Sequence, residues 1–138
     1  MENLYKANFD ATMFEYLGFA GLGVVIRDCR GNVLAALSQK IALPQSVEMA
    51  EALATKRGVQ LATEMSFLRV MVEGDSKRVV QALQAQGRSL TLYGHVIVDA
   101  RRIGATLQIC SFHHVLREGN SLAHSLARRV VLTTNIDV

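Results

Sequence analysis

The sequence contains no tryptophan, one proline and two cysteines, and it has no long hydrophobic run. Its apolar stretches, such as residues 21–26 and 96–98, are far shorter than the about 20 residues that cross a bilayer, so we expect no membrane contact. Cys29 and Cys110 are distant in sequence and lack CxxC spacing, which favours ordinary thiols without a disulfide partner. Acidic residues near the N-terminus argue against a secretory signal, so an intracellular protein of the nucleus or cytoplasm is expected.

The 138 residues suit one globular domain, since half of them are apolar and no low-complexity segment interrupts them. The net charge of +3, from 15 basic and 12 acidic residues, is too mild to indicate a nucleic-acid partner by itself. The basic residues include four dibasic pairs in segments with a helical pattern: residues 56–57, 77–78, 101–102 and 128–129. Solvated helix faces are the favoured interpretation of these pairs, and a stripe that contacts phosphates is the alternative.

The hydrophobic period changes along the chain and predicts an α/β fold. A first strand ends at an acid, Asp10, and two further strands flank a turn that contains Gly31 and Asn32. Ser46 has the character of an N-cap for a long helix, and Asn120 has the same character for the last helix. The predicted strands are residues 4–11, 19–27, 33–41, 67–73 and 107–116, and the predicted helices are residues 47–65, 76–86, 93–103 and 120–131. This order indicates a mixed sheet with helices packed on its faces.

Three carboxylates are candidates for a shared site. Asp10 and Asp75 follow predicted strands, where ligand-binding groups gather in sheets of this type, and Glu51 lies on the helix that must cross the sheet. If they converge, their mutual repulsion requires a hard cation, such as Mg²⁺ or Mn²⁺. Taken one at a time, each has an ordinary alternative: Asp10 as a turn residue, Glu51 as a surface acid, and Asp75 as a helix cap.

Several segments together resemble the RNase H type 1 family, and within it the plant RNase H-like domains of retroelement-derived, reverse-transcriptase-related proteins. The segments are KANFDA (6–11), GLGVVIRDCRG (21–31), EMAEALA (48–54), VEGDS (72–76) and HVLREGNSLAHSLAR (114–128). They follow the order and spacing of the family over about residues 5–131. The resemblance implies one RNase H-like domain over residues 1–138, with a five-stranded mixed sheet, helices on both faces and a C-terminal tail at 132–138.

The resemblance also implies a nuclease site for two divalent ions, Mg²⁺ or Mn²⁺, with Asp10, Glu51 and Asp75 as metal ligands. In such enzymes one ion activates water for in-line attack and the other stabilises the leaving 3′ oxygen. The substrate would be the RNA strand of an RNA–DNA hybrid, which the family distinguishes through successive 2′-hydroxyl groups.

Two positions depart from the family pattern. His124 stands where these enzymes usually have a fourth catalytic acid, and imidazole is a poorer ligand for Mg²⁺ than for Mn²⁺, so the second ion should bind more weakly. The loop before the last helix carries Arg117 in place of a mobile histidine, and Arg117 either contacts phosphate or pairs with Glu118. We also predict that Lys77 and Asn120 contact nucleic acid.

The leading hypothesis is therefore a monomeric, metal-dependent endoribonuclease in which Asp10, Glu51, Asp75 and His124 form the catalytic set. The alternative is a catalytically inactive nucleic-acid-binding module derived from a retroelement RNase H, which the missing fourth acid favours. The three retained carboxylates argue against this alternative, because a pure binder has no use for repelling charges beside a phosphate backbone.

Overall fold

A computed structural model describes residues 3–87, 89 and 91–132. Strands β1 (Tyr5–Phe14), β2 (Phe19–Arg27) and β3 (Val33–Ala42) form an antiparallel meander. Strand β4 (Arg69–Gly74) pairs parallel with β1, and β5 (Ile109–His114) pairs parallel with β4. The sheet order is β3-β2-β1-β4-β5, so β1 is the middle strand. The predicted five-stranded mixed sheet is confirmed.

Four α-helices accompany the sheet: α1 (Val47–Glu64), α2 (Lys77–Gln84), α3 (Gly94–Gly104) and α4 (Ser121–Arg128). Helix α1 begins as predicted, because the Met49 N–H donates a hydrogen bond of 3.0 Å to the hydroxyl of Ser46. Among the described residues, no helix is long and apolar enough to cross a membrane. Cys29 and Cys110 are free thiols.

The helices lie on both faces of the sheet, as predicted. Because side chains alternate along a strand, Val24 of β2 points toward α1, whereas Gly23 points toward α4. Helix α3 packs on α1, and α2 packs on α3 and β5. The main core lies between the sheet and α1, and its largest buried side chains include Phe9, Val24, Ile26, Leu37, Val59, Val70 and Val72.

Helix α4 rests directly on the backbone of β2. A Cβ atom at Gly21 would overlap the carbonyl oxygen of Ala127, and one at Gly23 would overlap that of Ala123. The hydroxyl of Ser38 on β3 donates a hydrogen bond of 2.6 Å to the Leu126 carbonyl of the same helix. These contacts fix the height and direction of α4 above the sheet.

The predicted first strand, residues 4–11 with its end at the acid Asp10, is too short. The parallel pairing with β4 ends at Asn8, but β1 continues to Phe14 because β2 pairs with it antiparallel along its whole length. Asp10 therefore lies inside a strand, two residues beyond the end of the parallel ladder.

The other elements match the prediction except at their ends. Strand β4 starts at Arg69 and β5 covers only Ile109–His114, so both are shorter than predicted. The last helix ends at Arg128 and continues as a 3-10 turn, Arg129–Leu132. Most of the predicted C-terminal tail, residues 133–138, lies outside the described residues.

Candidate active site

Three carboxylates from distant parts of the chain meet at one edge of the parallel ladder. Asp10 lies in β1, Glu51 in the second turn of α1, and Asp75 directly after β4, and their ligand oxygens all lie within 4.8 Å of one another. Asp10 is 3 % exposed and Glu51 is 5 % exposed, whereas Asp75 is half-buried. The predicted convergence is confirmed.

The end of β4 brings Asp75 close to the other acids. A Cβ atom at Gly74 would overlap the ring of Phe9 on β1, so the absence of a side chain at Gly74 lets the two strands pack tightly there. Phe9 points into the core, and its neighbour Asp10 points to the opposite face, toward α4. The alternation of β1 therefore separates the hydrophobic core from the acidic cluster.

The surroundings of Glu51 disfavour a negative charge on its carboxylate. The Ala11 N–H donates to its Oε1 atom at 3.3 Å, whereas its Oε2 atom is buried and has no hydrogen-bond partner among the described residues. Burial, together with the charge of Asp10 and then that of Asp75, raises the pKa of Glu51 well above its usual value. A buried carboxylate oxygen without a donor is costly unless a proton or a cation meets it.

The donor set suits a hard divalent cation. All three side chains offer carboxylate oxygens, which are the ligands that Mg²⁺ prefers and that Mn²⁺ also accepts. The bare Oε2 atom of Glu51 provides an oxygen that the protein itself does not satisfy. The three residues therefore fit a metal site.

Asp75 experiences opposing influences. Burial and the charge of Asp10 raise the pKa of Asp75, and the positive charges of Arg117 and His124 partly oppose that rise. The Nε atom of Arg117 lies 3.8 Å from the Oδ2 atom of Asp75, but the Arg117 side chain is 87 % exposed. Such an exposed pair adds little to stability. The suggested pair of Arg117 with Glu118 does not form; Arg117 faces Asp75 instead.

His124, at the fourth position of the predicted catalytic set, contacts Asp10 directly. Its Nδ1 atom lies 2.7 Å from the Oδ2 atom of Asp10, and the imidazole is half-exposed. Each acid thus has one oxygen engaged by the protein: Asp10 with His124, Glu51 with the Ala11 N–H, and Asp75 with Arg117. Of the three carboxylates, Glu51 keeps a buried oxygen, Oε2, that has no hydrogen-bond partner among the described residues.

Two predictions for Asn120 do not fit the structure. Its side chain does not cap α4, and it is 1 % exposed, so it offers no surface to nucleic acid. Its Nδ2 atom donates to the Phe9 carbonyl at 2.8 Å, and its Oδ1 atom accepts from the Nδ2 atom of Asn8 at 3.2 Å. The two buried amides therefore tie the start of α4 to the strand residues that precede Asp10.

Asn8 is a site-supporting residue that sequence reasoning missed. The signal was available, because an amide that stands between the apolar residues Ala7 and Phe9 in a predicted strand must find a buried partner. Lys77 is exposed at the first position of α2, two residues after Asp75, and its predicted contact with nucleic acid remains a prediction.

Comparisons with known proteins agree with this geometry. The sequence model of a family described as reverse transcriptase-like matches residues 8–130. No curated protein matches the sequence.

Among solved structures, RNase H1 from the halophilic archaeon Halobacterium salinarum is similar, with a TM-score of 0.85 and 24 % identity over 93 % of this chain and 97 % of that one. LC11-RNase H1, isolated from compost by a metagenomic approach and solved with an RNA/DNA hybrid, has a TM-score of 0.77 and 26 % identity over 94 % and 99 % of the two chains. A foamy viral protease-reverse transcriptase with an RNA/DNA hybrid has a TM-score of 0.71 and 14 % identity, over 91 % of this chain and 19 % of that one.

The plant and retroelement origin stays a prediction.

The family match spans almost the whole described domain, and this domain combines the sheet order, the helices on both faces and the acidic cluster. The chain therefore belongs to the reverse transcriptase-like family and has the RNase H fold.

Proposed function

We propose that this domain is a metal-dependent endoribonuclease that cleaves the RNA strand of RNA–DNA hybrids and leaves 5′-phosphate and 3′-hydroxyl ends. The observation that carries the proposal is the buried Oε2 atom of Glu51, which lies beside Asp10 and Asp75 and has no hydrogen-bond partner in the described part of the chain. Three buried or half-buried acids in mutual contact repel each other and lower the stability of the fold unless they hold a cation. Their presence together therefore indicates a functional site.

Asp10, Glu51 and Asp75 would hold Mg²⁺ or Mn²⁺, as a two-ion site once substrate phosphate adds further oxygens. Divalent ions in such a site supply a nucleophile at neutral pH and neutralise the charge that develops on phosphate and leaving group. The protein's own contribution is orientation. His124 holds one oxygen of Asp10, and the Ala11 N–H holds one oxygen of Glu51, and these contacts orient both carboxylates beside Asp75.

The choice of an RNA–DNA hybrid rests on likeness. LC11-RNase H1, solved in complex with such a hybrid, matches 94 % of this chain. Arg117 provides an exposed guanidinium next to Asp75, where it can meet a phosphate that approaches the acids. Discrimination against DNA requires contact with 2′-hydroxyl groups, which only the RNA strand offers.

A second candidate is an inactive module that binds nucleic acid without cutting it. The observation in its favour is the hydrogen bond between His124 and Asp10, because the position of the usual fourth acid holds a group that engages a metal ligand. This candidate predicts hybrid binding that falls with salt and does not change in Asp10→Asn.

The test is cleavage of a hybrid with labelled RNA in Mg²⁺, in Mn²⁺ and in EDTA. We expect cleavage that requires metal, that is absent in Glu51→Gln, and that is preserved in Glu64→Gln. Glu64 is a matched control, because it lies on the same helix but is exposed and pairs with Arg57 at the surface. A folded wild-type protein that binds the hybrid and cuts in neither metal would exclude the nuclease and leave the binding module.

A further inference from the structure

The end of the β1–β2 hairpin carries two cations held against two aromatic rings. The Nζ atom of Lys40 lies 4.2 Å from the centroid of the Phe19 ring, and the Cζ atom of Arg128 lies 5.8 Å from that of Phe14. The two rings lie 5.4 Å apart and are tilted by 44°. We call these four residues the aromatic–cation platform.

The platform lies on the same face of the sheet as the acidic cluster. Side chains alternate along β1, so Asp10 and Phe14 both point toward the α4 face. Phe19 is the register partner of Phe14, and Lys40 is the partner of Gly21, which contacts α4, so both also belong to this face. Phe14 lies four residue steps beyond Asp10 along β1, which is about 13 Å.

Helix α4 follows the same line. His124 and Arg128 are one helical turn apart, and they contact Asp10 and Phe14 respectively. A continuous row of side chains therefore connects the acids with the platform. A rod-like ligand that lies along β1 from Asp10 to Phe14 would therefore reach Arg128.

The two cations are available for an external anion. Among the described residues, neither Lys40 nor Arg128 has a carboxylate within 4.0 Å, whereas Lys56 pairs with Asp99. Arg128 is exposed and Lys40 is half-exposed, and each charged group lies over an aromatic ring. Aromatic rings interleaved with basic side chains are typical of surfaces that follow a nucleic-acid backbone.

We infer that the aromatic–cation platform is a second contact for the nucleic-acid backbone, in which Lys40 and Arg128 bind phosphates away from the point of cleavage. This inference rests on the proposed function, because it takes the hybrid as the ligand. At about 3.4 Å of helix axis per nucleotide in each strand, a distance of about 13 Å places these phosphates roughly four nucleotides from the acids. For Arg128, the inference therefore favours the alternative interpretation of the dibasic pairs, a contact with phosphate, over a solvated helix face.

The experiment is a binding titration of a fluorescent RNA–DNA hybrid by anisotropy, in EDTA so that no cleavage occurs, over a range of salt concentrations. Each phosphate contact contributes a slope of about one in the plot of log K against log[salt], so Lys40→Ala and Arg128→Ala should each lower the slope by about one and weaken binding about tenfold at 0.1 M salt. Arg30→Ala is the matched control, since Arg30 is an exposed cation in the β2–β3 turn at the other end of β2.

Conservative variants separate charge from folding. Arg128→Lys should retain the salt slope, and Lys40→Arg should do the same, whereas the alanine variants should lose it while melting as cooperative folded proteins. Unchanged affinity and slope in the folded double variant Lys40→Ala/Arg128→Ala would overturn the inference and leave an acidic protein surface as the ligand of these cations.

The outcomes distinguish this inference from the proposed function. Wild-type protein that binds hybrid through Lys40 and Arg128 but does not cut would support the platform and refute the nuclease. If the wild-type protein cuts the hybrid, and the double variant Lys40→Ala/Arg128→Ala binds and cuts it equally well, the nuclease is supported and the platform is refuted. Absence of hybrid binding by the wild-type protein would refute the platform as well.

Discussion

The imidazole of His124 donates a hydrogen bond of 2.7 Å to the carboxylate of Asp10, across 114 positions of the chain. A neutral or positive group therefore stands beside the most buried acid of the site, in place of a fourth negative charge. Three acids with one histidine repel each other less than four acids do, but they also attract a second cation less.

The first prediction concerns this pair. His124→Asp should raise cleavage in Mg²⁺ by about tenfold, because a carboxylate replaces an imidazole that Mg²⁺ binds poorly, and changes around metal ligands commonly alter affinity by 10- to 100-fold. Without metal, the same variant should melt at a lower temperature than the wild-type protein, since a fourth acid would face Asp10. His95→Asp, an exposed position on α3, is the control. Mg²⁺-supported activity that stays the same or falls would contradict this account of His124.

The second prediction concerns pH. Because the folded pKa of Glu51 is raised, the folded state holds this proton more tightly than the unfolded state does. Metal-free wild-type protein should therefore lose stability as pH rises from about the usual pKa of 4.5 through the folded pKa of Glu51. Asp75, whose pKa is also raised, adds a loss of the same sign.

Thermal melts in EDTA between pH 4 and pH 9 measure this effect. Glu51→Gln should match the wild-type protein at the acid end and melt higher above neutrality; each pKa unit is worth about 1.4 kcal/mol, or roughly 3–5 °C. Glu64→Gln should follow the wild-type curve, because Glu64 is exposed. Parallel curves for wild-type protein and Glu51→Gln would show that the acids do not repel each other in the folded protein.

The third prediction concerns metal addition. A cation that binds the folded acids should stabilise the protein by about 2.7 kcal/mol at a concentration 100 times its Kd. We expect Mn²⁺ to raise the Tm of the wild-type protein and of Glu64→Gln, and to leave that of Asp10→Asn nearly unchanged, since Asp10 belongs to the acidic cluster. Equal shifts in the wild-type protein and in Asp10→Asn would place the ion elsewhere.

The fourth prediction concerns the packing of α4 on β2. Gly23→Ala should destabilise the domain by about 1–3 kcal/mol or more. The new methyl group would overlap the Ala123 carbonyl, so the backbone of α4 or β2 must move. Gly58→Ala is the matched control within α1. Its methyl group would meet Val24 at an ordinary 3.6 Å, and alanine favours a helix over glycine by about 0.8–1 kcal/mol. In denaturant unfolding, Gly23→Ala should therefore lower the free energy of unfolding relative to the wild-type protein, and Gly58→Ala should raise it.

Local chemistry was predictable from the sequence, and tertiary partners were less so. The Ser46 cap of α1 follows from a hydroxyl directly before a helical pattern, so it was predicted and is present. Asn120 offers the same local signal, but the buried carbonyl of Phe9 binds its amide instead. A local pattern cannot show which of two acceptors or donors a side chain meets in the fold.

The acids show the same division. Their meeting was predictable because strands and a crossing helix bring them to one edge, and the family pattern named the same positions. The place of Asp10 inside β1 was not predictable, since the length of that strand depends on its pairing with β2 beyond the end of β4. The contact between His124 and Asp10 depends on how closely α4 approaches the sheet, which the pattern of residues 121–128 does not encode.

The close approach of α4 to β2 determines which positions of this domain can be varied in protein engineering. Where α4 meets β2, main-chain atoms touch, so no rotamer change can absorb an added atom at Gly21 or Gly23. The spacing of the imidazole and the first-strand acid is thus set by two positions that lie beneath α4 and outside the acidic cluster. A mutant library meant to tune catalysis should hold both glycines constant and vary the side-chain-filled layer beneath α1, where small shifts can be absorbed by repacking.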